Sequence, residues 1–345
     1  MAGRMTRAGG GINGSLAAGR EDPGASNFLD PSATSRAAVL DFIAALFGSR
    51  IKLPRDRVTR IPRAARKAAQ AHADAMYKAV EKLSALPGIA DVSKLKRLPK
   101  GFFEQVETFQ AAHDRYIESV RSTMKIDDAA PAGTPEGKGA CFAGPFGVSG
   151  PEALLIYRTI RTWKDFPQVA QKLGELGEQQ FKDIQALHTG KDPEKIRMTS
   201  KAAGLGRKQF AERGEPCPFL DPNKGRCRIW DVRPACCRMH LTRGDKSLAD
   251  PRHEQHAEVQ VVNLRIPIRA QVSLTQLDRR MALGLSPFAY ASQLQLLQLA
   301  DGQLIQEVGE APQRMQQDGR VLEKANRNVA HAKKFQKAKG KKKKK

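Results

Sequence analysis

Residues 101–124 read GFFEQVETFQAAHDRYIESVRSTM. Phe102, Val106, Phe109 and Tyr116 follow one another at steps of four, three and seven, which puts them on one side of an α-helix. The stretch upstream, RAARKAAQAHADAMYKAVEKLSAL (residues 63–86), repeats the pattern with Ala65, Ala69, Ala73, Met76, Val80 and Leu83 and ends at Pro87-Gly88. Farther upstream, PSATSRAAVLDFIAALF (31–47) has capping-type Ser and Thr ahead of an apolar face. The N-terminal half therefore reads as packed helices, after a Gly-, Ala- and Ser-rich segment, 1–30, expected to be disordered.

Working downstream, residues 127–151 (DDAAPAGTPEGKGACFAGPFGVSGP) are rich in Gly and Pro and read as loop. Two helices are expected next, EALLIYRTIRTW (152–163) and PQVAQKLGELGEQQFKDIQALH (167–188). EVQVVNLRIPI (258–268) has the β-branched character of a strand. SLTQLDRRMALGLSPFAYASQLQLLQL (273–299) is again helical, interrupted near Gly284 to Pro287. No internal repeat is present. The expected fold class is mainly α: a helical scaffold with a small irregular Cys-rich metal-binding segment and a short strand or hairpin. The expected divisions are 1–30, 31–126 (helical region), 127–300 (cysteine-cluster metal-binding domain) and 301–345 (a helix fraying into a basic Lys-rich tail).

The chain has 345 residues, 40% hydrophobic and 6% aromatic, which suits a helical protein rich in Ala and Leu better than a β-sandwich. At this length a core can be buried without disulfides. Residues 1–20 lack an apolar stretch of signal-peptide type, and the most apolar short run, AAVLDFIAALF, is far below a membrane span and carries Asp41. The expectation is a cytoplasmic protein with no membrane segment, in a reducing compartment where clustered thiols serve metals more often than disulfides. The net charge is +23, and residues 320–345 supply +11 of it, from twelve Lys and Arg against Glu323. Such an arm attracts nucleic acid or another polyanion by counterion release; the plainer reading is a solvated tail, since no aromatics interleave the lysines.

Chemistry concentrates in CPFLDPNKGRCRIWDVRPACCRMH, residues 217–240, which hold four of the five cysteines. Nine residues separate Cys217 from Cys227, and nine separate Cys227 from Cys237. The paired C-x-x-C and H-x-x-x-H spacings of common zinc fingers are absent. Pro218 and Pro222 prevent regular helix, Asn223-Lys224-Gly225 is a turn signal, and Arg233-Pro234 biases Arg233 away from α conformation. A chain turning at these places can bring Cys217, Cys227 and Cys237 together. Cys141, from a Gly-rich loop, can supply a fourth thiolate, completing the ligand set of a structural zinc or an iron–sulfur cluster. Adjacent residues rarely aim at one point, so Cys237 is favoured over Cys236, its alternate. Arg226, Arg228, Arg233 and Arg238 would favour the thiolate forms. The alternative is a set of ordinary reduced cysteines in a loop-rich segment.

Three pieces of this stretch resemble the YkgJ-type cysteine-cluster family, described as zinc- or iron-chelating domains: Cys217-Pro218-Phe219-Leu220, Gly225-Arg226-Cys227-Arg228-Ile229-Trp230, and Arg233-Pro234-Ala235-Cys236-Cys237-Arg238. By that match Cys237 takes the family's last Cys position and Cys236 is an extra. The resemblance spans about 141–240 and implies a metal-binding domain, with iron–sulfur favoured over zinc. The family opens with a dense group of the type C-x-x-C-x-x-C-C; here the corresponding place has only GKGACFAGPF, with Cys141 its single thiol.

Other candidates are weaker. His240, three residues after Cys237, could ligate in place of Cys141. His253 and His256, in RHEQHAE, do not form the zinc-protease pattern and read as a solvated polar segment. GLGRKQF lacks the ending of a phosphate loop. Trp230 is expected to pack against the site and shield it from water, and Arg233 to hydrogen-bond carbonyls at an Arg-Pro turn. Three functional classes follow: a metal-binding protein holding zinc or an iron–sulfur cluster through Cys141, Cys217, Cys227 and Cys237; a cluster-dependent enzyme, since the family includes proteins that look like lysine-methylation factors, although no cofactor motif supports a methyltransferase-like role; and a nucleic-acid- or ribosome-associated protein using the basic tail. Whether any reaction is catalysed is not written in the sequence.

Overall fold

The computed structural model describes residues 57–95, 97–142, 148–186, 201–281, 283 and 306–309. The segments 1–30 and 31–47, the second half of the helix expected over 273–299, and the Lys-rich tail lie outside the described residues.

The described part is mainly helical, with two small antiparallel sheets. In chain order the helices are α1 (Arg63–Ala68), α2 (Gln70–Ser84), α3 (Val92–Leu95), α4 (Phe102–Met124), α5 (Gly150–Ile160), α6 (Phe166–Ala186), α7 (Lys201–Glu212), α8 (Ala235–Arg238) and α9 (Ile268–Met281). The helix expected over 63–86 is two helices meeting at Ala69.

The scaffold is built around α4. Its apolar stripe, Phe102, Val106, Phe109, Ala112, Tyr116 and Val120, is buried at the 3.6-residue period. It packs against Met76, Ala79, Val80 and Leu83 of α2, whose other neighbour, α9, contributes Ala270, Leu274, Leu277 and Met281. The N-terminus of α4 is capped from afar: the Glu307 carboxylate accepts hydrogen bonds from the N–H groups of Gly101 (3.0 Å) and Phe103 (2.8 Å). A carboxylate there satisfies orphan donors and meets the positive end of the helix dipole. Helix α5 starts with a capping box of Ser149 and Glu152 and is buried from Gly150 to Tyr157. Helices α6 and α7 pair, and Arg213 at the end of α7 makes a bidentate ion pair with Asp183 (2.7 and 3.2 Å).

The strands are β1 (Ala130–Pro131), β2 (Leu220–Asp221), β3 (Arg226–Cys227), β4 (His240–Arg243) and β5 (Gln260–Asn263). The larger sheet has the order β1-β4-β5, with Pro131 opposite Leu241 and His240 opposite Asn263. Strand β5 falls inside the expected 258–268 strand. Its partners, HLTR and the dipeptide Ala130–Pro131, are too short to read by alternation, and pairing alone makes them strands. α7 carries little helical signal in the sequence, because Gly204 and Gly206 weaken it. One hydrophobic core joins Ala65 of α1 to Leu283, taking in Phe219, Ile229 and Cys236 of the Cys-rich segment. Among the described residues no helix is long and apolar enough to cross a membrane.

Candidate metal centre

The Cys-rich segment folds as a hairpin followed by one turn of helix. In the hairpin, β2 and β3 place Leu220 opposite Cys227. The Asp221 carboxylate closes the turn by accepting from the N–H groups of Asn223 (2.9 Å) and Lys224 (3.0 Å), which also hold its carboxyl below the usual carboxylate range. Gly225 takes a positive φ of 63° there, its N–H bonding the Asp221 carbonyl at 2.8 Å.

Two points of the upstream 127–151 segment then join the Cys-rich segment. The Cys217 N–H donates to the Cys141 carbonyl at 3.0 Å, so the residue 76 positions upstream in sequence is a backbone neighbour. The Cys227 N–H donates to the Gly133 carbonyl at 2.9 Å. Gly133 adopts φ +89°, and a Cβ on it would stand 2.8 Å from the Cys227 Cβ. The 127–151 loop is thus Gly-rich where it touches the cysteine hairpin.

Cys236 and Cys237 sit on α8. Pro234 precedes it, and the first free N–H, that of Ala235, donates to the buried Glu152 of α5 at 2.6 Å. Burial pushes the Glu152 carboxyl up, against the pull of its bonds from Ser149 and Ala235. α8 separates the adjacent thiols: Cys236 is 5% exposed and belongs to the core, while Cys237 is only partly buried.

None of the five cysteines is in a disulfide. Burial, then the charges that Cys217 and Cys237 would carry, push the Cys227 thiol up to about 12; the Ile229 N–H and the Arg233 guanidinium pull the other way. Cys217 and Cys237 are therefore electrostatic neighbours of Cys227, and a negative charge on either makes the Cys227 thiolate costlier. Of the four arginines in the segment, the structure brings Arg233 to these thiols: burial, then Arg238, disfavour its charge, against the support of Cys237, Asp114 and Cys227. Its guanidinium donates to the carbonyls of Ala132 (3.0 Å) and Trp230 (3.1 Å) and lies 3.3 Å from the Trp230 ring centroid. Trp230, 39% exposed, packs one face on Arg233 and leaves part of its surface in water. Arg228 is spent elsewhere, paired with Asp165 and stacked on Trp163. Arg238 is buried against Asp114, Gln110 and the Asp231 and Arg233 carbonyls. Arg226 is exposed.

Among the described residues no group of three or more His, Cys, Asp and Glu side chains is arranged to hold a metal ion. The donor chemistry nonetheless fits zinc or iron: uncrosslinked thiols, one of them partly buried and within electrostatic reach of two others, with a guanidinium beside them. The histidines are placed as follows. His240 is buried in β4, its carbonyl accepting from the Ala132 N–H at 3.0 Å. His253 and His256 serve local turns: the His253 Nδ1 accepts from the Gln255 N–H at 3.1 Å, and the His256 Nδ1 lies 2.7 Å from the Leu248 carbonyl oxygen.

Sequence reading missed three supporting groups. Glu152 was legible in principle, because Ser149-Gly150-Pro151-Glu152 is a capping-box signature. Gly133 carried no local mark of its contact with Cys227. His113, on α4, is fully buried and stacks on Phe109, with neither ring nitrogen hydrogen-bonded among the described residues. Nothing in an apolar helix pattern signals such a histidine.

No curated protein and no solved structure matches the chain significantly. A family model covers residues 174–260, from within α6 to the start of β5. The match takes in Cys217, Cys227, Cys236 and Cys237; Cys141, inside the 141–240 span of the resemblance, lies outside it. Residues 174–260 thus match the model of the CxxCxxCC family, whose description is "putative zinc- or iron-chelating domain".

Proposed function

We propose that this chain is a metal-binding protein in which Cys217, Cys227 and Cys237 hold a zinc ion or an iron–sulfur cluster, with Cys141 as the fourth thiolate. The observation that carries this reading is the setting of Cys227, largely withdrawn from water with the uncrosslinked thiols of Cys217 and Cys237 near enough to act on its charge, in a segment tied by backbone to Cys141. A bound cation removes the penalty that keeps such thiols protonated. Cys236, turned into the core, is outside the ligand set. A four-thiolate zinc site would be a fold staple, while an iron–sulfur cluster would add redox capacity.

The test is the metal content of full-length protein purified without oxygen, alongside single Cys→Ser variants. The reading expects stoichiometric zinc or iron in the parent and loss of it in Cys217→Ser, Cys227→Ser, Cys237→Ser and Cys141→Ser. Cys236→Ser keeps its metal. A parent without zinc or iron, or equal loss from Cys236→Ser, overturns it.

A further inference from the structure

Several cations on the folded part of this chain stand against a carboxylate. Arg213 pairs with Asp183, Arg228 with Asp165, Arg243 with Asp128 and Arg252 with Asp250. One stretch gathers cations with no acid among them. Between Asp56 and Asp74 the chain carries Arg57, Arg60, Arg63, Arg66 and Lys67 and no acid. All five are exposed, and none makes an ion pair among the described residues. Among the described residues, the Arg57 side chain alone of the five has a hydrogen-bond acceptor, the Ala257 carbonyl at 3.0 Å.

The stretch is also held in place. Thr59 is fastened to the end of β5: its N–H reaches the Asn263 carbonyl at 3.4 Å, and its hydroxyl accepts from the Asn263 N–H at 3.0 Å. Pro62 caps α1, and Ala65 and Ala69 are buried completely. Arg63 and Lys67 therefore project from the opposite side of the helix, with Arg66 on its flank. From an extended lead-in to the first turns of helix, the five charges run along roughly 20 Å. Uncompensated cations on a fixed backbone cost self-repulsion, which a polyanion removes, and little ordering remains to be done on binding.

We propose that Arg57, Arg60, Arg63, Arg66 and Lys67 form a docking strip for the phosphate backbone of a nucleic acid, separate from the Cys-rich segment and from the lysine tail. Four of the five cations are arginines, whose planar guanidinium matches phosphate oxygens in bidentate fashion. The strip exposes one large apolar side chain, Val58, and no aromatic one. It lacks the apolar face that inserts into a membrane surface, and it lacks the stacking platform that reads bases. Binding is consequently independent of sequence and steep in salt.

The test uses the full-length chain with Lys341 to Lys345 each changed to Gln, so that the tail does not mask the strip. A labelled 20-nucleotide single-stranded RNA is titrated across a series of salt concentrations, against this parent and against Arg60→Gln/Arg63→Gln/Lys67→Gln in the same background. The proposal expects the triple variant to bind at least about tenfold more weakly at low salt, with the slope of log K against log salt shallower by about 2. Arg60→Lys/Arg63→Lys, which keeps the charge, keeps most of the slope. Unchanged affinity and slope in the Gln variant overturn the proposal, as does equal loss in the Lys variant, which would trace the effect to the fold. A loss seen on vesicles of phosphatidylcholine and phosphatidylserine but not on RNA also overturns it, in favour of a membrane surface.

Discussion

The Glu152 carboxylate accepts a 2.6 Å hydrogen bond from the Ala235 N–H, so the helical turn carrying Cys236 and Cys237 is capped by a side chain of another helix. The same carboxylate takes the Ser149 hydroxyl at 2.7 Å, and it is buried. One group thereby fixes the start of α5 and the approach of α8. Glu152→Ala leaves the Ala235 and Ser149 donors unsatisfied, and we expect it to cost about 1–3 kcal/mol in a denaturant titration and to weaken metal retention. Glu152→Gln keeps an acceptor and should cost less. If the Ala variant is as stable as the parent, the cap does not hold α8.

Gly133→Ala tests the contact behind Cys227. The new Cβ would meet the Cys227 Cβ at 2.8 Å, on a residue whose φ of +89° a side chain already disfavours. We expect a loss of roughly 1–3 kcal/mol and a lower metal affinity in chelator competition. An Ala variant that matches the parent in both would show that Cys227 is free to move.

His113 makes the fold sensitive to acid. Burial, then the charges of Arg238 and Arg233, push its imidazole down to about 3. With the folded value below the ordinary one of 6.5, its contribution is fully present above about pH 6.5 and drains away as pH falls toward 3, at up to about 1.4 kcal/mol per pH unit. His113→Phe should flatten this acid limb of the stability curve. An unchanged limb would place the sensitivity elsewhere.

Asp278 acts in the opposite direction. Its carboxyl accepts from the Gly150 N–H at 2.9 Å, yet burial, together with the charge of Glu152, pushes it up to about 7. Its contribution is therefore complete below about pH 4 and is lost as pH rises through 7. Asp278→Asn keeps the hydrogen bond and should stabilise the protein at pH 8, by roughly 2 kcal/mol because the residue keeps part of its surface in water, with little effect at pH 4. Equal stability of parent and variant at pH 8 would contradict this.

Local periodicity made the scaffold legible. α4 and α2 were visible because Phe102, Val106 and Phe109, or Met76, Val80 and Leu83, must share a face to be buried. The turns of the Cys-rich segment were legible for a similar reason, since Asn223-Lys224-Gly225 and Arg233-Pro234 restrict their own backbone. What binds that segment to the rest was not. The Cys141–Cys217 and Gly133–Cys227 backbone bonds, the Glu152 cap and the Glu307 cap on α4 join residues about 70 to 200 positions apart, where neither partner carries a local signature. The separation of Cys236 from Cys237 follows from one turn of helix that four residues between a proline and a strand do not announce.

The most direct measurement is X-ray absorption at the metal edge of the anaerobically purified full-length protein. The account predicts zinc or iron surrounded by sulfur at about 2.3 Å, from four protein thiolates in the case of zinc and from protein thiolates together with inorganic sulfide in the case of a cluster. A metal bound by nitrogen and oxygen, or an absorption edge for neither element, would contradict it.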